Sequence, residues 1–331
     1  MNVRLIVGCG YVGSQVAQYW CTESISRDEG NDGPVFAITR NESRFEELAK
    51  LGVKPIAWDW LSGLPIEKQD NWDALSRLVG LSSHASITNL TILVAVSHAA
   101  QAGVPNSETH SRGLENLHRQ LVELFPECRI SWIYLSTTGV YGSTESGTWV
   151  DESTPASPDR PGSVAAYAAE QWLLNNVHKN NLVILRPAGI YGPERVPRWQ
   201  AIRDQVPMQA DPESFLNLIH LVDLAQIIDR VSKQKMSHTL YCVCDDFPSL
   251  RRDYYKFIAD LGNWPAPIFQ VNAANDSSSN SIRRSRSDGN KRIRNARIKS
   301  ELGYVFKFPS YREGLRELIR WNDEAGPLQV P

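Results

Sequence analysis

Short, almost wholly apolar runs punctuate the first part of this chain: Val3–Val7, Val35–Ile38, Val53–Ala57, Thr91–Val96, Ile130–Leu135 and Leu182–Leu185. Runs of this length without polar alternation predict strands buried on both faces. Between them the apolar positions change period. Val12, Val16, Ala17 and Trp20 fall at helical spacing, as do Leu114, Leu117, Leu121 and Leu124. Further helices are predicted from about Asn41–Ser43 and over Ala165–Val177. This alternation predicts an α/β fold with a doubly wound parallel sheet covered by helices on both faces. Ligands in such folds bind beyond the carboxyl ends of the strands. Candidate chemistry therefore belongs in the loops that follow them.

The first of those loops is the most specific. Gly8-Cys9-Gly10-Tyr11-Val12-Gly13 is G-x-G-x-x-G, set directly between a strand and a helix. Gly8 permits the tight turn, Gly10 lets backbone approach a pyrophosphate, and Gly13 lets helix and strand pack closely. The helix start then offers free N–H groups and its positive dipole end to the phosphates. In this context the pattern reads as a dinucleotide site. A Rossmann-type NAD(P)-binding domain is expected over residues 1–190, with Gly8, Gly10, Tyr11, Val12, Gly13 and Ala95 against the cofactor. The second strand ends Ile38-Thr39-Arg40, where an NAD site usually carries an acid that repels a 2′-phosphate. Arg40 can pair with that phosphate. NADP is the expected cofactor, with NAD as the alternative because Glu42 lies nearby.

From residue 191 the texture changes. Pro193, Pro197, Pro207 and Pro212 break the chain into loops and short elements, and Asn275–Ser281 reads as a flexible loop. A smaller α+β substrate lobe is expected over 191–331, with about 216–232 returning to the first domain. Composition narrows the function classes. Apolar residues make up 42% and charged residues 22% of 331, with net charge −2. That balance fits a soluble globular protein and offers no global field for nucleic acid or anionic lipid. The apolar stretch Leu90–Val96 is too short to span a bilayer. No secretory core is seen at the N-terminus, so a cytoplasmic location is expected. Five cysteines lack metal or redox spacing and read as buried free thiols, and no metal site is expected.

Three later segments carry a resemblance. They are Ser136-Thr137-Thr138-Gly139-Val140-Tyr141-Gly142, Leu185-Arg186-Pro187-Ala188-Gly189-Ile190-Tyr191-Gly192-Pro193, and Leu218-Ile219-His220-Leu221-Val222-Asp223-Leu224-Ala225. In this order behind a glycine fingerprint, they resemble the extended short-chain dehydrogenase/reductases, the NAD-dependent epimerase/dehydratase group. The end of the chain, from Asn290-Lys291-Arg292-Ile293 to Tyr311-Arg312-Glu313-Gly314-Leu315, is similar to an atypical branch of that family. The resemblance implies that Thr137 hydrogen-bonds the substrate oxygen at the hydride centre. It implies that Pro187 and Ala188 lie along the nicotinamide and Asp59 on the adenine side. Tyr141, Tyr191 and His220 are expected to be structural or pocket-lining, and Asp223 to cap or orient a helix.

The same resemblance exposes a gap. The family's acid/base is a Tyr, followed by a Lys four residues on and often a Glu four beyond. Glu170 matches the acidic end, which puts Ala166 at the Lys position and Gly162 at the Tyr position. A shifted register offers Tyr167, but its i+4 partner Gln171 is uncharged and cannot depress a phenol pKa. His98 could face the nicotinamide, although a satisfied loop histidine is the plainer reading. The basic stretch Arg283, Arg284, Arg286, Lys291, Arg292, Arg294, Arg297 and Lys299 reads as a solvated face, with a substrate-phosphate site as its functional alternative. The expected function is an NAD(P)-dependent oxidoreductase or epimerase-like enzyme. Thr137 and Tyr167 are its candidate catalytic residues. The expected partner is a small-molecule substrate, phosphorylated or nucleotide-linked, with a homodimer as the possible assembly. A non-catalytic NADP-binding sensor is the alternative.

Overall fold

Strand β1 (Asn2–Val7) is flanked by β2 (Asp32–Thr39) and β4 (Asn89–Val94), so it lies inside the sheet, and Val3, Leu5, Ile6 and Val7 are buried. The computed structural model describes residues 2–26, 32–58, 87–97, 106–144, 147–270 and 289–325. With β3 (Lys54–Ala57), β5 (Arg129–Leu135), β7 (Leu182–Pro187) and β11 (Leu240–Val243), these strands form a seven-stranded parallel sheet. Its order is β11-β7-β5-β4-β1-β2-β3. The chain moves outward from β1 to β3, then returns to β4 on the other side of β1. The order therefore reverses between β1 and β4, and a ligand crevice opens at such a reversal. Both the glycine loop and Ala95 follow those two strands.

Helices α1 (Tyr11–Ser26), α2 (Phe45–Lys50), α3 (Asn106–Leu124) and α4 (Pro161–Asn176) accompany these strands. Helix α4 begins four residues before the predicted Ala165, because Pro161 is well suited to a first helical turn. The sheet and helices share a core that includes Leu5, Val7, Ile38, Val94, Leu117, Leu121, Trp132 and Leu173. The seventh strand, β11, comes from the later part of the chain and holds Cys242.

The chain divides into two compact units. The first comprises 1–136, 161–185 and 225–240, and the second 137–160, 186–224 and 241–331. The second unit contains β6 (Thr148–Val150), β8 (Gly189–Tyr191), α5 (Trp199–Arg203), β9 (Phe215–Leu216) and β10 (Leu218–His220). Helix α6 (Leu221–Lys233) follows, and after β11 come β12 (Ser249–Leu250), α7 (Arg251–Leu261), β13 (Lys291–Ile293), α8 (Ala296–Leu302) and α9 (Tyr311–Ala325). The unit has paired two-stranded sheets β8–β10, β9–β12 and β6–β13 and a core that includes Tyr191, Tyr254, Tyr255 and Tyr311. Among the described residues no helix is long and apolar enough to cross a membrane. All five cysteines are free, but Cys21 and Cys128 are only half-buried, unlike Cys9, Cys242 and Cys244.

Candidate functional site

β1 ends at Val7 and α1 begins at Tyr11, so residues 8–10 make the whole turn. Gly8 has φ +88°, and a Cβ on it would stand 2.9 Å from the Ala95 carbonyl oxygen. A Cβ on Gly13 would stand 2.5 Å from the Gly8 carbonyl oxygen. Both glycines are thus required by the protein's own backbone. Gly10 differs. It is exposed, and nothing among the described residues lies within 4 Å of a Cβ placed on it. Its small size answers no neighbour among the described residues, as expected of backbone kept bare for a phosphate. The residues present therefore fit a dinucleotide. Val12 is buried and Tyr11 half-buried at the helix start, and the Ala95 amide donates to the Val7 carbonyl at 2.8 Å, tying the two strand ends together.

At the end of β2, Arg40 is exposed. Asn41 caps a 3₁₀ turn, Glu42–Arg44, by accepting from the Ser43 amide. That turn sends Arg44, a residue the sequence reading passed over, back to the glycine loop. Its Nη1 donates to the Cys9 carbonyl at 2.8 Å. Its Nε and Nη2 grip both carboxylate oxygens of Glu47, at 3.0 and 2.7 Å. The pairing raises the Arg44 pKa and lowers that of Glu47 through the shared hydrogen bonds. The i,i+3 spacing of Arg44 and Glu47 was the available signal. Asp59, His98, Asn275–Ser281, Arg283, Arg284 and Arg286 lie outside the described residues.

β5 ends at Leu135, and a 3₁₀ turn over Thr138–Tyr141 follows. Thr137 precedes that turn as its cap, its Oγ1 accepting from the Gly139 amide at 3.0 Å. A hydroxyl that accepts one bond still has a proton to donate. The neighbouring Ser136 is buried and donates its hydroxyl to Glu170 of α4, also fully buried. The face of α4 around Glu170 is lined by Ser163, Ala165, Ala166 and Ala169, all buried. Ala166 has no exposed surface, Gly162 carries no side chain, and Tyr167 sits half-buried. Nearby in the same unit, His110 hydrogen-bonds the Ser97 carbonyl and reaches the Tyr134 hydroxyl at 3.4 Å. Burial lowers the His110 pKa and raises that of Tyr134.

In the second unit, Pro187 closes β7, and the buried Ala188 donates its amide to the Val243 carbonyl at 2.9 Å. Tyr141 is buried with its hydroxyl 3.0 Å from Cys242 Sγ, and Tyr191 donates to the Ser310 carbonyl. His220 packs between Tyr191 and Phe308, and burial pushes its pKa down to about 4. Asp223 accepts from the Tyr304 hydroxyl and from the Lys307 and Phe308 amides, which fixes the segment leading into α9. Within the basic stretch, Lys291 departs from the solvated-face expectation, and Arg292 is half-buried over Trp149 and Phe215. Lys291 is buried, donates Nζ to the Gly142 carbonyl, and is pushed down to about 8 by burial and the Arg160 charge. Strand alternation turns it inward on β13 between outward neighbours.

The model of the NAD dependent epimerase/dehydratase family matches residues 5–239. No curated protein matches the chain. Among solved structures, a functionally unknown conserved protein from Silicibacter pomeroyi is 26% identical with TM-score 0.71, over 97% of this chain and 99% of that one. The UDP-glucose 4-epimerase of Thermotoga maritima, solved with UDP-glucose, is 16% identical with TM-score 0.70, over 98% and 99%. The dTDP-glucose 4,6-dehydratase of Bacillus anthracis, solved with NAD, is 17% identical with TM-score 0.69, over 98% and 97%. At these identities the last two speak for the fold.

Proposed function

The chain belongs to the NAD-dependent epimerase/dehydratase family, and from that premise we propose an NADP-linked oxidoreductase or epimerase-like enzyme for a carbonyl or hydroxyl of a sugar-nucleotide-type substrate. The observation that carries this reading is the bare Gly10 backbone at the point where strand order reverses. The structural relatives solved with NAD and with UDP-glucose supply the chemical class. Gly8, Gly10, Tyr11, Val12 and Gly13 would hold the pyrophosphate, with Ala95, Pro187 and Ala188 along the rest of the cofactor and Asp59 at the adenine. The nicotinamide ring supplies or accepts the hydride. Thr137, whose hydroxyl keeps a donor after capping the 3₁₀ turn, would orient the substrate oxygen. Proton transfer falls to Tyr167 or to water, because Gly162 and Ala166 stand where the family has tyrosine and lysine.

A screen for NADPH oxidation across carbonyl and sugar-nucleotide substrates tests the proposal. Turnover that is slow for the family is expected, since positioned acid/base catalysis typically supplies about 10²–10⁴-fold. Its pH profile should lack a tyrosine ionisation of the family type. The missing pair also favours a second reading, a non-catalytic NADP-binding sensor. Tight NADP binding with no turnover on any substrate of the screen would select it.

A further inference from the structure

We propose that a cleft in the second unit binds a small zwitterion of the amino-acid class, with its carboxylate on Arg294 and its ammonium on Asn295 and Asp245. The cleft has a volume of about 320 Å³, and Trp149, Pro248 and Ile293 line it beside those three residues. The cofactor site and the hydride chemistry proposed above use none of the six. The cleft is therefore a second site, independent of that chemistry.

The cationic wall is already in place. Arg294 is exposed, and its guanidinium lies 5.3 Å from the centre of the Trp149 indole. Arg292 lies 4.7 Å from the same ring and donates Nε to the Gly147 carbonyl at 2.7 Å, which ties the stack to the backbone. Stacking on a ring leaves the edges of a guanidinium free, and those edges bind a carboxylate bidentately. Among the described residues the partner of the Arg294 guanidinium is the indole, not a carboxylate.

The other wall accepts. Asp245 is 2% exposed, its Oδ1 accepts from the Phe247 amide at 3.0 Å, and its Oδ2 has no hydrogen-bond partner among the described residues. Burial pushes its pKa well up, and the Asp246, Asp223 and Glu313 carboxylates push the same way. A buried acceptor left open among like charges is matched by a cation. Asp246 is already answered, by Asn295 and Lys299 at 2.8 Å each. Asn295 Nδ2 also donates to the Cys244 and Asp245 carbonyls, at 2.9 and 3.1 Å. Three acceptors around Nδ2 fix the amide's orientation and leave Oδ1 to accept from a ligand. Arg294 and Asn295 are consecutive, which keeps both walls within reach of one small molecule. Pro248 and Ile293 offer apolar surface to its side chain.

Thermal melts and calorimetry on the full chain test this, with leucine, valine, methionine and phenylalanine as probes. At about 10 mM at least one of them should raise the Tm. For the one that binds, the same molecule without its amine and the same molecule without its carboxyl should each bind about tenfold more weakly or worse. Arg294→Met should weaken the amino acid by about tenfold and leave the carboxyl-free amine unchanged. Asp245→Asn should weaken the amino acid and that amine alike, by about tenfold, and leave the amine-free acid unchanged. Arg294 is exposed, so its variant remains a test even where Asp245→Asn does not fold. No response to any of the four amino acids would overturn the proposal. So would fragments that bind as well as the parent, or unchanged binding in Arg294→Met.

Discussion

The glycine turn at the end of β1 and the helix α4 belong to the same compact unit, yet they treat the family pattern in opposite ways. At the turn every family-like position is present, and two of its three glycines are enforced by backbone within the chain. On α4 the structural half of the pattern survives: Glu170 is buried and receives the Ser136 hydroxyl. In the register that the family resemblance implies, the chemical half would be missing, with Gly162 and Ala166 in its place. The difference follows from what each site is made of. A phosphate cradle is built from main-chain N–H groups and the absence of side chains, so nearly any sequence with the right glycines supplies it. Proton transfer needs a particular functional group at a particular atom. One substitution deletes it, while the fold that displayed it stands.

The turn offers the sharpest way to break this comparison. Gly13→Val drives a Cβ into the Gly8 carbonyl, and Gly8→Val adds backbone strain to a like clash. Each should cost about 2–5 kcal/mol in denaturant melts. Gly10→Val meets nothing among the described residues, so its melting curve should match wild type while calorimetry detects no dinucleotide. A Gly10→Val protein that binds as well as wild type would show that the pyrophosphate does not lie there.

Next in size is Thr137→Val, expected to lower turnover by about a hundredfold through loss of the substrate hydrogen bond. The lost cap costs only about 1 kcal/mol of stability, so a thermal melt separates the two effects. Ser136→Ala should leave the cofactor Kd unchanged and destabilise the fold by about 1–3 kcal/mol, because it removes a donor from a buried carboxylate. The smallest effect is assigned to Tyr167→Phe, with turnover expected within about threefold of wild type if water carries the proton. A loss of two orders of magnitude there would restore a side-chain acid to α4, in the shifted register, and dissolve the contrast with the turn.

The sheet strands were legible because each buries both faces and so reads as a continuous apolar run. The strand–glycine–helix junction was legible because a turn that tight leaves few residue choices. Lys291 shows where such reading stops. Nothing in the basic run sets it apart, and only the pairing of β13 with β6 turns it inward to the Gly142 carbonyl. Arg44 is a second case. The 3₁₀ turn capped by Asn41 returns it to the Cys9 carbonyl of the glycine loop, a contact between residues far apart in sequence.

The sequence by itself determined the α/β class, the glycine turn and which residues, Gly162 and Ala166, the resemblance sets at the tyrosine and lysine positions, since these depend on periodicity and residue identity along short stretches. Tertiary structure alone decided that Gly10 stands clear where Gly8 and Gly13 do not, that Arg44 meets the loop and that Lys291 is buried. Each of those depends on atoms distant in sequence: Ala95 against Gly8, Cys9 against Arg44, Gly142 against Lys291. Local pattern fixes what a residue can do, and the neighbours brought by the fold fix what it does.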